Sequence, residues 1–194
     1  MNKQVALDVS TDRPVLLDRP AVEAMMAANA LPCGGRVELI EGVLVERDSA
    51  NDPHSDAHSD LTAAVAARLK RAFRSKVDPT TWFGMHSMTG PDILILPRGV
   101  SAQDVKGHDI PLLIEVSASS LRYDLGKKAQ LYGKHGVPDY WVVDLPNRKL
   151  HVHREPTGTE GYGKVTMYNW TEPATPLFDP ELILILSDIL DSES

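Results

Sequence analysis

Two apolar runs dominate the pattern of the chain: Ile93-Leu94-Ile95-Leu96 within GPDILILP, and PLLIEV ending at Val116. Uninterrupted apolar runs of this length predict strands covered on both faces of a sheet. The polar loop 98–110 between them predicts that strands 92–97 and 111–116 pair antiparallel. Downstream, YDLGKKAQLYGKHG predicts a helix over 121–135, closed by Gly136 where a left-handed cap residue is favoured. DYWVVDL reads as a further strand, and Pro146-Asn147 turns it into KLHVHRE as a hairpin. His151 and His153 alternate to one face of that hairpin and read as surface positions.

The flanking pattern is less uniform. Asp18 ahead of Pro20 and the run AVEAMMAANAL is a helix start with proline in the first turn, and Pro32 to Gly35 stop it. RVELIEGVLVER predicts two short strands about Glu41-Gly42, with Val37 and Leu39 on one face and Glu38 and Ile40 on the other. A long helix is expected from His54 to Arg74, its buried stripe made by Leu61, Val65 and Leu69. Thr80 to Phe83 and Met85 to Met88 read as one strand broken at Gly84. KVTMYNW returns as a strand, and LILIL leads to a last helical turn. No repeat, low-complexity tract or linker divides the chain, so it reads as one domain over 1–194 with a lead-in at 1–17.

Composition changes this picture little. At 194 residues, 42% hydrophobic and 24% charged, the chain is ordinary for a globular domain able to bury its own core. Cys33 is the only cysteine, so no internal disulfide forms, which suits a reducing cytosol. The N-terminus lacks an apolar signal core, and no segment reaches the ~18–20 apolar residues of a membrane span. A cytoplasmic location is expected. The net charge of −7 runs against the basic footprint of a typical nucleic-acid binder, although local patches outweigh the sum. Arg68, Lys70, Arg71, Arg74 and Lys76 form one such patch. It reads as cations complementing a helix dipole, or as a phosphate-contacting surface.

The informative polar residues lie inside the apolar runs. Asp92 opens the first, and Glu115 sits near the end of the second. A carboxylate in a doubly covered strand is costly unless it is paired or holds a metal. Antiparallel pairing brings both to one end of the sheet, an oxygen-rich corner suited to a hard divalent cation such as Mg²⁺ or Mn²⁺. His54 and His58 stand at the i,i+4 spacing of zinc ligands, but the sequence offers no obvious third ligand.

Taken together, Pro91-Asp92, Glu115-Val116, Asp124 with Lys128 and Tyr132, and Gly136-Val137-Pro138-Asp139-Tyr140-Trp141 with Asp144 resemble the Uma-two family of restriction-endonuclease-like proteins. That family lies in the PD-(D/E)xK nuclease-like superfamily. The resemblance extends to Glu38-Leu39-Ile40 with Gly42 and to His58, and spans most of residues 20–190. It implies an α/β fold, a restriction-endonuclease-like mixed β-sheet core flanked by α-helices. One departure matters: Ser117 stands two residues after Glu115, where the superfamily motif has lysine. The resemblance assigns that role to Lys128 on the following helix.

The activity so implied is metal-dependent endonuclease cleavage of DNA. Asp92 and Glu115 would hold Mg²⁺ or Mn²⁺ with the Val116 carbonyl as a further ligand, and Lys128 would orient water or stabilise developing charge. Asp124 and Tyr132 would position these groups, with Ser117, Glu38 and His58 as further contacts. On pattern alone, Glu38 is equally a solvent-facing residue of an edge strand. Lys127, a helical step of about 100° from Lys128, is expected to point elsewhere. Cutting both strands of a duplex would suit a two-fold homodimer. Two other classes remain open: a nuclease-fold module that binds nucleic acid or regulates without turnover, and a metal-dependent phosphoesterase acting on small substrates.

Overall fold

A computed structural model of the chain describes residues 14–31, 36–47, 52–159 and 161–191, with side chains from residue 55 in the helix that begins at Asp52. Most of the expected lead-in, the stop at 32–35 and the His54 side chain lie outside the described residues. Helix α1 (Arg19–Ala27) begins as expected: the Asp18 carboxylate accepts from the Ala21 N–H, and Pro20 occupies the first turn. Strands β1 (Arg36–Ile40) and β2 (Val43–Arg47) form the expected hairpin. Both of its turn residues have positive φ, 49° at Glu41 and 86° at Gly42, which matches the right-handed twist of the strands. A Cβ on Gly42 would stand 2.6 Å from Leu16 Cβ, so only glycine fits there.

Helix α2 (Asp52–Arg68) is shorter than its pattern suggested, and β3 (Phe73–Val77) follows it. The helix expected through Arg74 thus stops at Arg68, the first residue of the basic cluster, and Arg74 and Lys76 belong to a strand. The reason is pairing: β3 runs antiparallel to β6 (Ile93–Pro97), from Phe73 opposite Pro97 to Val77 opposite Ile93. That ladder satisfies its backbone groups at the sheet edge. The patch is also partly consumed by internal ion pairs, since Lys70 Nζ sits 2.9 Å from Asp179 and 2.8 Å from Glu181.

The expected broken strand is instead a small hairpin of β4 (Thr81–Trp82) and β5 (Met88–Thr89), turned at Gly84 with φ 68°. It pairs through Met88 and Leu39 with β1, making a separate antiparallel sheet in the order β2-β1-β5-β4. The remaining strands form one six-stranded mixed sheet. Here β7 (Leu112–Ser117) pairs antiparallel with β6 and parallel with β8 (Asp139–Asp144). Then come β9 (Lys149–Pro156) and β10 (Tyr162–Asn169), giving the order β10-β9-β8-β7-β6-β3. Every residue of β7 and β8 is buried, as the apolar runs required.

Alternation along these strands builds two cores. Ile93, Ile95, Leu112, Ile114 and Trp141 face Leu61 and Val65 of α2 and the C-terminal α5 (Leu186–Leu190). Leu94, Leu96, Leu113 and Tyr140 face the helical segment after β7. Glu115 and Ser117 share parity with Leu113, so both point to that second face. The segment itself is α3 (Leu121–Tyr123), one π-helical turn (Asp124–Lys128), then α4 (Ala129–Lys134). His153 is buried rather than exposed, its ring tilted against Tyr140 and edge-on to Tyr162. β9 is an inner strand, paired along both edges with β8 and β10, and the rings of Tyr140 and Tyr162 close over His153.

Candidate active site

The β6–β7 register pairs Ile93 with Ile114. One further step sets Asp92 beside Glu115 at the end of the sheet. The Val116 N–H donates to Asp92 Oδ2 at 2.7 Å, which fixes that carboxylate against the next strand. Asp92 and Glu115 line one cleft of about 700 Å³, together with Arg36, Glu38, Arg47 and Lys128. The cleft lies between the hairpin β1–β2, the ends of β6 and β7, and the helical segment from 121.

Lys128 organises its floor. Its Nζ is 2.9 Å from Glu115 Oε1, 3.1 Å from Glu38 Oε1 and 3.7 Å from Asp124 Oδ1, with only 3% of the side chain exposed. Burial alone would lower the pKa of this amine, but the carboxylates of Glu115, Glu38, Asp124 and Asp92 together raise it, so it stays an ammonium. Glu115 is pushed up by burial, drawn down by Lys128, and pushed up again by Asp92, Asp124 and Glu38. Tyr132 adds a second donor to Glu115 Oε1 at 2.9 Å, and its oxygen is 3.1 Å from Thr89 Oγ1.

The π turn sets the reach of Lys128. The Ala129 N–H donates to the Asp124 carbonyl five residues back, and that carbonyl also accepts from the Tyr140 hydroxyl at 3.0 Å. Such π turns recur at functional sites. Ser117 and Ser120 donate to Asp124 Oδ2 at 2.6 and 2.5 Å. Among the described residues Asp124 Oδ1 is buried without a hydrogen bond of its own, with Lys128 Nζ at 3.7 Å and Arg47 Nη2 at 3.9 Å.

Residues 26–186 match the family model Uma2, described as "Putative restriction endonuclease". The chain belongs to the Uma2 family. No curated protein matches it. Among solved structures, one described as "a putative nuclease belonging to DUF820 from Anabaena variabilis ATCC 29413" matches with a TM-score of 0.71 at 19% identity, over 92% of this chain and 98% of that one. The likeness carries the fold, a restriction-endonuclease-like α/β arrangement. Among the described residues no helix is long and apolar enough to cross a membrane.

The Uma2 fold gathers nearly all the residues singled out in the sequence. Asp92, Glu115, Val116, Asp124, Lys128 and Glu38 line the cleft, while Ser117 and Tyr132 hold two of its acids from behind. Glu38 is not on an edge: β1 runs between β2 and β5, and the side chain is buried against Lys128 and the Tyr123 hydroxyl, 3.2 Å away. His58 stands differently. Its Nε2 is 2.9 Å from the Asp92 backbone carbonyl, and His58, Asp78 and Asp92 each offer a ligand atom within 4.8 Å of the others. Glu115 is outside that cluster. Lys127 is exposed where Lys128 is buried, and it is among the residues lining the same cleft.

Four residues in the site have no counterpart in the sequence reading: Arg36, Arg47, Asp78 and Tyr123. Arg36 Nη1 is 3.1 Å from Asp92 Oδ1, and its Nη2 is 2.5 Å from both Asp78 Oδ1 and the Gly90 carbonyl. The Arg47 guanidinium lies over the Tyr123 ring, 4.2 Å from its centroid. Arg36 and Arg47 are cross-strand partners in the hairpin. Like charges placed opposite each other are unfavourable, so the pair is a usable signal for an acidic site or a polyanion. A divalent cation suits the donors present: a corner of hard oxygens in which burial first, and then Asp92 and the other acids, disfavour the charged form of Glu115 against the pull of Lys128, and added positive charge favours it.

Proposed function

We propose that the chain is a Mg²⁺- or Mn²⁺-dependent endonuclease that hydrolyses phosphodiester bonds of DNA. The observation that carries this is the meeting of Asp92, Glu115 and the Lys128 ammonium in one cleft. Asp92 and Glu115 would hold the metal. Val116 would add its carbonyl, since its N–H already points at Asp92 and in extended backbone the carbonyl points to the same side. When bound, the ion would polarise the phosphate and lower the pKa of water.

The chain's own residues carry the rest. Lys128, held charged by its acids, orients the attacking water or stabilises charge on the phosphoryl oxygens. Tyr132 and Ser117 keep Glu115 and Asp124 in place, and Glu38 shares the ammonium. Arg36, Arg47, Arg122 and Lys127 on the cleft walls would offer cations to a phosphate, beside the acids Glu38, Glu46, Asp92, Glu115 and Asp124 that line the same cleft. A pair of such sites across a two-fold axis would cut both strands of a duplex.

A second reading, binding without turnover, is favoured by one feature: both carboxylates already pair with internal cations, Arg36 on Asp92 and Lys128 on Glu115. Incubation of plasmid and oligonucleotides with Mg²⁺ or Mn²⁺ separates the two. Cleavage by the wild type and none by Glu115→Gln supports the nuclease. Tight binding of DNA with no cleavage under any divalent metal supports the binding module.

A further inference from the structure

The cation nearest Asp92 is Arg36, and its setting is asymmetric. Asp92 is held rigidly: its side chain is 6% exposed, Oδ2 takes the Val116 N–H, and its backbone carbonyl takes both the His58 ring and the Asp78 N–H at 3.2 Å. Arg36 is the first residue of β1, with 38% of its side chain exposed at the cleft wall. Its remaining anchors are Asp78, itself 47% exposed, and the Gly90 carbonyl. Gly90 leaves room for this: a Cβ there would come within 3.0 Å of Arg36 Nη2. Asp92 and Asp78 raise the Arg36 pKa against the opposing effect of burial, so the guanidinium stays charged.

Any cation that binds Asp92 through Oδ1 therefore meets a resident one, and the two repel at contact distance. Arg36 has somewhere to go. Arg47 is its cross-strand partner at the cleft mouth, where an incoming phosphate would be offered two guanidinium groups, each able to bind it bidentately. Moving Arg36 from carboxylate to phosphate takes its positive charge off Asp92 and removes the repulsion in the same step.

We propose that Arg36 is the internal counter-ion of the Asp78–Asp92 corner and couples metal loading to nucleic acid: a phosphate draws the guanidinium off Asp92, and a divalent cation takes its place. This rests on the reading of Asp92 as a metal ligand. It makes Arg36 a positioning residue that suppresses metal binding when no polyanion is present. Linkage makes the effect reciprocal, so metal tightens nucleic-acid binding by the same factor.

The test is Mn²⁺ binding to the full chain, followed by the electron paramagnetic resonance signal of free Mn²⁺. Wild type, Arg36→Gln, Arg36→Lys and Asp92→Asn are compared, each with and without a phosphorothioate DNA duplex, and thermal melts confirm folding. Arg36→Gln should bind Mn²⁺ alone about tenfold tighter than wild type, within the range of about 5–150-fold usual for coupled sites. Arg36→Lys, which keeps the charge, should return towards wild type. The duplex should tighten Mn²⁺ binding in wild type and have little effect in Arg36→Gln. If Asp92→Asn abolishes binding while Arg36→Gln matches wild type, or if neither wild type nor Arg36→Gln binds, the counter-ion role is wrong. If Asp92→Asn binds as wild type does, the metal reading itself fails and the coupling with it. Should Arg36→Gln fail to fold, Arg36→Lys binding Mn²⁺ tenfold tighter than wild type would equally overturn the proposal, because charge and not shape is what it invokes.

Discussion

Lys128 Nζ and Glu115 Oε1 lie 2.9 Å apart, both buried, across 13 residues of chain. The contact joins the end of a central strand to the last residue of a π-helical turn, and it draws in Glu38 and Asp124 as well. An isolated Asp124–Lys128 pair at i,i+4 would contribute only about 0.2–0.5 kcal/mol. A buried ammonium shared by three carboxylates is another matter, because its removal leaves anions without compensation.

Lys128→Met should therefore lower stability by about 3–5 kcal/mol, as breaking a buried ion pair does, and lower cleavage about a hundredfold or more if the ammonium stabilises the reacting phosphate. The double variant Lys128→Met/Glu38→Gln separates these effects. Chemical denaturation should show stability partly restored while cleavage stays low. Recovery of both together would make Lys128 a structural residue only. Lys127→Ala, on the cleft rim, should change the salt dependence of DNA binding more than the cleavage rate.

Asp92→Asn and Glu115→Gln should each abolish Mn²⁺ binding in titration calorimetry. Because Glu115 is raised by burial and by the acids around it, wild-type affinity should keep strengthening as pH rises beyond the usual carboxylate range. Affinity that levels off near pH 5 would mean that Glu115 is not a ligand.

His153, which is not among the residues lining the cleft, gives a pH-dependent term of its own. Burial, reinforced by His151, lowers it to about 4 from 6.5, and its buried Nε2 has no hydrogen-bond partner among the described residues. The unfolded chain then binds a proton at this site between about pH 6.5 and 4 that the folded chain does not. Its contribution to stability is full above pH 6.5 and is lost as pH falls towards 4. Melting temperatures of wild type and His153→Phe should diverge most above pH 6.5 or below 4, with the difference between them changing only inside that window. A constant difference across pH would show that His153 titrates normally.

Gly133 marks the tightest contact of α4. A Cβ there would meet the Gly161 carbonyl oxygen at 2.2 Å and its carbon at 2.4 Å. Gly133→Ala should cost about 1–3 kcal/mol, as overpacking does. Gly126→Ala, in the π turn with nothing within 4 Å of the added carbon, should be neutral or slightly stabilising through the unfolded chain. Equal losses in the two variants would refute this packing account.

The sequence by itself determined the centre of the molecule. ILIL and LLIEV are strands buried on both faces because no polar alternation lets either face meet water, and the loop between them left antiparallel pairing as the short route. That pairing brought Asp92 to Glu115, and side-chain parity placed Glu115 on the helix side. The helix from 121 was legible from its period, and Lys128 from the family pattern it carries. Tertiary structure alone decided the rest. Residues 73–77 became a strand because β6 offered an open edge, Glu38 was buried because β5 paired with β1, and His153 was enclosed because β10 and α4 covered its strand. Arg36 and Asp78 reached Asp92 from 56 and 14 residues away, and the Tyr140 hydroxyl reached the Asp124 carbonyl of the π turn from 16. Periodicity records which face of an element is apolar, a local property of neighbouring residues. It carries no term for which distant carboxylate or guanidinium will stand against that face, and those long-range contacts are what make the cleft.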